Sequence, residues 1–466
     1  MKIIGKIWLL SLVYPLLAAT ELPAGVPEEF TYTVNSGEVV ITGYAGPGGE
    51  VIIPNSIEGF PVVEVGRQAF AGSAGLIRVT IPAGIAEIGN WAFWDCDNLE
   101  VITVDPLNRN FASEDGVLFN RDRTLLIQFP RGKAGNYEIP AGITAIGAEA
   151  FYACAGLTEV TIPDSVSTIG AIAFSRCGGL TSIVIPDSVT TIGTLAFSEC
   201  SALSELSIGG NVAEIGASAF DSCSRLTVVT IPDSVVTIGE LAFARCPGLT
   251  DVVIGNGVTT IGPFAFSDCA TLSNLKIGDN VTSIGESAFE NCQSLTGVVI
   301  PDSVTEIGPS AFWNCAGLNS VTLGNSVVTI GEGAFSHCGG LTEIDIPDSV
   351  TEIGAWAFAG CYGLNRVIIG DRVATIGDEA FAWCFSLTEI DIPDSVTRIG
   401  DFAFRFCLNL TRVAIGRGLS EIGLNAFINC SRLETITVDP LNPDYACEGG
   451  VLFNKDRTAL IRFSGG

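Results

Sequence analysis

Leu157-Thr-Glu-Val160-Thr-Ile162-Pro163-Asp-Ser-Val166-Ser-Thr-Ile169-Gly170-Ala-Ile-Ala173-Phe174-Ser-Arg-Cys177 is one turn of a pattern that returns every 23 residues. The phenylalanine marks the step. Phe151, Phe174, Phe197, Phe220, Phe243, Phe266, Phe289, Phe312, Phe335, Phe358, Phe381, Phe404 and Phe427 follow without an insertion, and Phe70 and Phe93 are earlier copies, giving fifteen units. A constant step means that every unit makes the same physical turn and stacks on its neighbours.

Within the unit, Val160 and Ile162 alternate as in a half-buried strand, with Leu157 turned inward where the strand begins. Pro163-Asp164-Ser165 ends that strand, because proline cannot donate to a ladder and Asp and Ser favour turns. Val166 and Ile169 point inward on a second, shorter extended piece. Ala173, Phe174 and Cys177 are spaced three or four apart, as on one face of a short helical turn. No unit buries these side chains alone; stacked units do. The expected fold is a repeat solenoid: a parallel β-sheet along one face, short second extended segments and short helical turns, with coils about 4.8 Å apart. Its core is expected at Phe174, Phe197, Phe220, Phe243, Phe266, Phe289 and Phe312, with Cys177, Cys200 and Cys223 beside them.

Leu-x-x-Val-x-Ile-Pro-x-x-Val-x-x-Ile-Gly-x-x-Ala-Phe-x-x-Cys, as it stands at Leu157 to Cys177, resembles the BspA-like (Treponema pallidum-type) leucine-rich repeat. The resemblance covers about residues 50–466. It implies a right-handed leucine-rich-repeat coil and an exported or surface protein linked to adhesion and protein binding. It implies no catalytic residues.

Around the array, residues 1–19 read as a signal peptide: Lys2 and Lys6, an apolar run from Ile7 to Leu17, then Ala18-Ala19. Residues 20–53 read as an N-terminal β cap, with Phe30–Val34 and Val39–Gly43 flanking Asn35-Ser36-Gly37. Repeats fill 54–103, a β-hairpin module is inserted at 104–139, thirteen repeats run over 140–437, and a second hairpin module occupies 438–466. The two modules share one pattern: Val104-Asp-Pro-Leu-Asn108 with Gly116-Val-Leu-Phe-Asn120, and Val438-Asp-Pro-Leu-Asn442 with Gly450-Val-Leu-Phe-Asn454.

A formal net charge of −28 disfavours nucleic acid as a partner, since that interface needs basic surface to displace counterions. No second apolar stretch is long enough to span a bilayer. The ladder of one Cys in each unit but the first, where Ser73 stands, is read as buried thiols acting as small hydrophobes; inter-coil disulfides or a metal site are the alternatives. Asp164, Asp187, Asp233, Asp279, Asp302, Asp348, Asp371 and Asp394 recur in the turn after the strand. Asn256, Asn325 and Arg417 share the position, which favours a turn-capping role over a calcium ladder. His337, the only histidine, sits in a slot filled elsewhere by Arg176 and Glu199, which marks a solvated position rather than a catalytic one.

The outward strand positions carry the candidate ligand surface. One row runs Glu343, Arg366, Glu389, Arg412; a second places Asp345 and Asp391 either side of Ile368. Pro347 and Pro393 alternate with Gly370 and Gly416, so a two-coil duplication underlies these patterns. Charge compensation across the sheet and a charged ligand face are both compatible with them. Trp313 and Trp383 are the aromatic candidates, among a scatter that includes Trp94 and Tyr152. The expectation is an exported or cell-surface, non-catalytic protein without cofactor or metal, presenting an extended surface for proteins or other surface macromolecules. The alternative is a self-associating structural component of an envelope or matrix.

Overall fold

The computed structural model describes residues 28–458 and 460–463; the signal peptide expected at 1–19 lies outside them. The chain forms two compact units, one of residues up to 166 with Ala173–Gly179, the other of Ser167–Ile172 with residues from 180 onward. Both are built from stacked coils of a β-solenoid. Each coil is named below by its core phenylalanine.

In the second unit every coil carries two strands. The first is a face strand of three or four residues, such as Val228–Ile231 or Asp251–Ile254. The other is a two-residue back strand, and twelve of these run from Thr168–Ile169 to Glu421–Ile422 in one unbroken parallel ladder. The register is one repeat throughout, as in Thr191↔Glu214 and Ile192↔Ile215. Period-two alternation decides what is buried: Val229 and Ile231 are inside while Val228 and Thr230 face out.

The third side of each coil is not helical, contrary to the expectation of short helical turns; it is a run of tight turns. In the Phe197 coil the amides of Ala196, Ser198 and Cys200 bond three residues back, to Gly193, Leu195 and Phe197. Between them, the amides of Leu195, Phe197 and Glu199 donate outward to Ala217, Ala219 and Asp221 of the next coil, at 2.7–2.9 Å. A helix would keep every amide inside its own segment. Here alternate amides serve the neighbouring coil, and the chain turns through left-handed residues at Leu195 (φ 58°) and Glu199 (φ 60°). Left-handed residues four apart reproduce the apolar spacing of a helical turn, so the spacing alone does not separate the two.

The core lies between the three sides. Phe197, Phe220, Phe243 and Phe266 are fully buried, with ring centroids 5.1–5.3 Å apart and planes within 5° of parallel. The stack continues through Phe289, Phe312 and Phe335, and each ring is roofed by the next. In the first unit Phe174 stacks on Phe151 at 4.5 Å. Cys177, Cys200 and Cys223 are buried beside these rings.

The first unit begins with an antiparallel pair, Phe30–Asn35 and Glu38–Tyr44. Tyr44 stacks on Phe70 at 5.2 Å, and Phe30 meets it edge-on, so the pair covers the first core ring. Past Val101–Val104 the chain leaves the repeat. Asn108, fully buried, gives its side-chain amide to the carbonyls of Pro82 and Ile85, and its Oδ1 accepts the amides of Asn110 and Phe111. That fully satisfied side chain turns the chain outward. Three antiparallel strands follow, Phe111–Glu114, Val117–Asn120 and Leu125–Gln128, where the sequence suggested two. The last of them rejoins the solenoid by pairing in parallel with Ala145–Ile146. The second module repeats the device: Asn442 bonds the carbonyls of Gly416 and Leu419, and three antiparallel strands follow.

Candidate ligand-binding face

The six charged candidates all lie on face strands, and the fold sorts them into two clamps. Arg366 sits opposite Glu343 in the register; its Nη1 is 3.3 Å from Glu343 Oε2 and 3.3 Å from Asp345 Oδ1. Arg412, opposite Glu389, holds Glu389 Oε2 at 3.0 Å and Asp391 Oδ1 at 2.8 Å. The hydrogen bonds that the Arg412 guanidinium donates, to Asp391 first and then to Glu389, hold its pKa above the usual range. Each clamp is confined to one pair of strands. These pairs are exposed, and solvent screening leaves them little net stabilisation.

The aromatic candidates are elsewhere, on the turn side. Trp313 is half-buried, with its ring 5.7 Å from His337. Trp383 stacks on Phe406 at 6.4 Å, and the Arg405 guanidinium lies 5.0 Å from both rings. Charged and aromatic candidates therefore form separate surfaces. Trp94 and Tyr152 stack on each other at 4.3 Å, and Arg131 beside them pairs with Asp95 and Asp97.

Sequence reasoning missed the coil beneath that stack. Phe129 is buried, stacks on Phe151 at 5.0 Å, and donates its amide to Ala150 as each repeat phenylalanine does to its neighbour. Its spacing of 22 residues to Phe151 is one short of the repeat, which hid it.

The face strands carry a second feature. Unlike the back strands, they form separate short ladders: Val228–Ile231 with Asp251–Ile254 and Asn274–Lys276, then Gly297–Val299 with Ser320–Thr322, then Glu343–Asp345 with Arg366–Ile368, then Glu389–Ile392 onward. Among the described residues the ladder breaks at four steps of this unit, Phe220 to Phe243, Phe289 to Phe312, Phe335 to Phe358 and Phe381 to Phe404. At each break a coil with Gly after the strand (Gly209, Gly278, Gly324, Gly370) is followed by a coil with Pro there (Pro232, Pro301, Pro347, Pro393).

The backbone explains the sign of this rule. A glycine such as Gly370 tucks so close to the preceding coil that a Cβ would lie 2.5 Å from the Pro347 carbonyl oxygen. Its coil is drawn toward the one before it. The proline of the following coil has a ring and no N–H, so it neither follows nor donates to the carbonyl ahead of it. Pro-on-Pro steps remain bonded, as in Gly49–Ile52 with Leu76–Ile81, and so does the Gly-on-Gly step from the Phe266 to the Phe289 coil. The phenylalanine stack crosses every break intact, for example Phe289 to Phe312 at 5.2 Å, so the coils part on the face side alone.

Three of the four breaks, or seams, loosen the core beneath them. Leu206, Leu275 and Val321, on coils ahead of a seam, are half-buried, whereas Val229, Val252 and Ile344 are sealed. The grooves on this face lie at the seams. One of about 630 Å³ is lined by Leu275, Lys276, Asp279, Val299, Asp302 and Leu323 among others. Beside it is a groove of about 270 Å³ between Asp251, Asn274, Lys276 and Gly297, and a third of about 270 Å³ runs from Asn319 to Glu343 and Asp345.

The acidic turn row follows the same blocks. Asp233, Asp302, Asp348 and Asp394 accept the amides of Asn256, Asn325, Asp371 and Arg417 on the next coil at 2.7–2.9 Å. These are turn-capping contacts within a block. All fifteen cysteines are free thiols; fourteen are buried and Cys447 is partly exposed. Among the described residues no helix is long and apolar enough to cross a membrane.

The model of the BspA type leucine rich repeat region matches residues 50–120, 128–250, 237–365 and 328–443, most of the chain. A leucine-rich repeat protein from Bacteroides ovatus is similar in structure, with 28% identity over 88% of this chain and 93% of that one and a TM-score of 0.59. A leucine rich cell surface protein from Faecalibacterium prausnitzii is 26% identical over 91% of this chain and 96% of that one, with a TM-score of 0.39. No curated protein matches. A fixed Leu–Val–Ile–Phe–Cys interior on a coil of this length, matched over most of the sequence, places the chain in the family of BspA-type leucine-rich repeat proteins.

Proposed function

We propose that this chain is an exported, non-catalytic binding protein that holds proteins or other surface macromolecules on the outward face of its face strands. One observation carries the reading: the coil interior is constant while the outward positions differ from coil to coil. Leu249, Phe266 and Cys269 have the same buried counterparts in each coil from Phe174 to Phe427. The matching outward position is Val184, Thr230, Val253, Lys276, Val299, Asp345 and Ile368 in different coils. Stability demands the first set and leaves the second free to be chosen by a ligand. Val184 and Val299 remain 63% and 64% exposed, so apolar contact area is available beside the charged clamps. The basic and apolar start of the chain, Lys2 to Ala19, supports export.

The test compares two variants of the mature chain, immobilised and exposed to a cell-surface extract under cross-linking. Val184→Glu/Val299→Glu/Arg366→Glu alters the face; Thr237→Lys/Thr260→Lys alters the back strands. Loss of the captured species from the first variant alone is the expected result. Equal capture by both would overturn the face as the binding surface.

A further inference from the structure

We propose that copies of this chain join end to end, the strand Leu460–Phe463 of one copy pairing with the strand Phe30–Asn35 of the next. The contact lies apart from the outward face and goes beyond the reading above. The chain itself holds an occupied counterpart. In the first hairpin module, Leu125–Gln128 pairs on one side with Val117–Asn120 and on the other, in parallel, with Ala145–Ile146 of the coil that follows. The Gly147 amide of that coil donates to the Leu126 carbonyl at 2.8 Å. Leu460–Phe463 stands in the same place in the second module, and among the described residues it pairs with Val451–Asn454 alone. Burial records the difference. Val117 and Phe119 are fully buried, and Pro140 and Ile143 of the following coil line a cavity with Phe119. Val451 and Phe453, in the same two places, are only half-buried. The second module therefore presents a strand edge and apolar side chains that the first module covers with the main chain of a coil.

Phe30–Asn35 has the properties of the missing partner. Among the described residues it is the outermost strand of its sheet, paired only with Glu38–Tyr44. Proteins blunt such edges with lysine or proline, and Phe30-Thr-Tyr-Thr-Val-Asn35 carries no charge and no proline. Past one irregularity at Thr31 and Tyr32 its pairing is regular to Asn35. Tyr32 and Val34 pack on the core cluster yet stay half-buried. Strand sense fits as well. Glu38–Tyr44 runs parallel to Phe60–Val65 and through it to the back strand Glu87–Ile88, so Phe30–Asn35 runs against them. Leu125–Gln128 runs with the back strands, and its counterpart Leu460–Phe463 takes the same sense. Antiparallel pairing of the last strand with the first strand of the next copy thus keeps the back strands of both copies in one direction. Charge favours the same union. Residues 28–66 hold acids such as Glu28, Glu29 and Glu38 and no lysine, arginine or histidine, whereas Lys455, Arg457 and Arg462 outnumber Asp456 around the last strand. The net charge of −28 repels copies, but salt at physiological strength screens it beyond about 8 Å. The two surfaces differ, so the contact is heterologous and propagates to a third copy.

The test follows the mass of the mature chain by light scattering across a range of concentrations, in about 0.15 M salt. The wild-type mass is expected to rise with concentration past that of two copies. Hydrogen exchange at the Val34 amide of the wild type should slow as the mass rises, which locates the contact without any variant. Two variants each block one end. Ser36-Gly37 is a two-residue hairpin turn, so Val34 and Val39 form a pair without mutual hydrogen bonds and the Val34 N–H points away from Glu38–Tyr44. Val34→Pro removes that donor and spares the hairpin. Phe453→Glu places a charge among the apolar side chains of the second module. Each variant alone is expected to stay a single chain. An equal mixture should give dimers and nothing larger, because the open end of each fits the open end of the other. The proposal is overturned by a wild type that stays a single chain at every concentration or stops at two copies. It is overturned equally by variants that grow as the wild type does, or by Val34 exchange that does not change as the mass rises.

Discussion

The thiol of Cys223 donates to the carbonyl oxygen of Phe197 on the preceding coil, Sγ to O 3.2 Å. The same bond joins Cys246 to Phe220, Cys269 to Phe243 and Cys292 to Phe266, at 3.2–3.4 Å. The Phe197 carbonyl also takes the amide of Cys200 on its own coil. A cysteine suits this position because it is a small apolar body with one weak donor. Cys223→Ala removes both the packing and the bond. We expect a loss of about 1–2 kcal/mol, read as a lowered denaturation midpoint. An unchanged midpoint would show that the bond and the sulfur volume are dispensable.

Burial also sets how these thiols titrate. It pushes Cys269 up to about 12 and Cys96 up to about 11, against an ordinary 9.0. The folded state therefore holds its thiol protons at pH values where the unfolded chain has lost them. Stability from this source is fully present below pH 9 and falls as pH rises toward 12, since the unfolded state then binds fewer protons. Urea midpoints measured from pH 8 to pH 11 should be flat at first and then decline. At pH 8 an aromatic disulfide reagent should label Cys447 rapidly and the ladder only on unfolding. Rapid native labelling of several thiols would contradict a sealed ladder.

Phe289 lies between Phe266 at 5.4 Å and Phe312 at 5.2 Å and is fully buried. Phe289→Ala empties one rung of the stack, and the coils on either side cannot collapse without shifting the continuous back ladder. The expected cost is about 3–5 kcal/mol. Nearest-neighbour coupling predicts that hydrogen exchange accelerates in the Phe266 and Phe312 coils before it does at Phe404. Uniform acceleration along the chain would count against that coupling.

The core was legible because burial and periodicity speak together: Phe174 and Cys177 recur at a fixed step with the alternation of Val160 and Ile162 before them. The Phe129 coil was not, because one missing residue and the strands before it break the step. The seams were half visible. The alternation of Pro347 and Pro393 with Gly370 and Gly416 can be read from the sequence. Its consequence depends on how closely a glycine backbone approaches the coil before it, which no residue pattern states. The clamps of Arg366 and Arg412 were foreseen as compensation across strands. Their confinement to blocks follows from the same seams.

The Gly370 contact yields a direct test of that close approach. A methyl group there would meet the Pro347 carbonyl at 2.5 Å, and the neighbour is backbone rather than a movable side chain. Gly370→Ala should force the Phe358 and Phe381 coils apart on the face side and cost about 1–3 kcal/mol. It should also separate Arg366 from Glu343 and Asp345, so that raising the salt concentration changes the variant's stability less than that of the wild type. An Ala variant of full stability and undiminished salt response would mean that the face strands do not depend on this approach.

The turn side offers the sharpest contrast between a helix and what is found. Gly333 occupies the slot of Ser310 and Trp356 on adjacent coils, and all three are left-handed, with φ of 61°, 53° and 55°. In a helical turn, Gly→Ala would stabilise by about 0.5–1 kcal/mol. In a left-handed slot the same change adds a Cβ that the backbone does not favour, and the sign reverses. Gly333→Ala should therefore lower stability by about 1 kcal/mol, although its Cβ would meet nothing closer than 3.5 Å. Ser310→Pro should be far worse, at least about 3 kcal/mol. Proline cannot adopt positive φ, and the Ser310 amide donates to Glu332 at 2.7 Å. The pair separates the two conformations cleanly: a Gly333→Ala chain more stable than the wild type would restore the helical turn and remove the outward amide ladder that joins coil to coil.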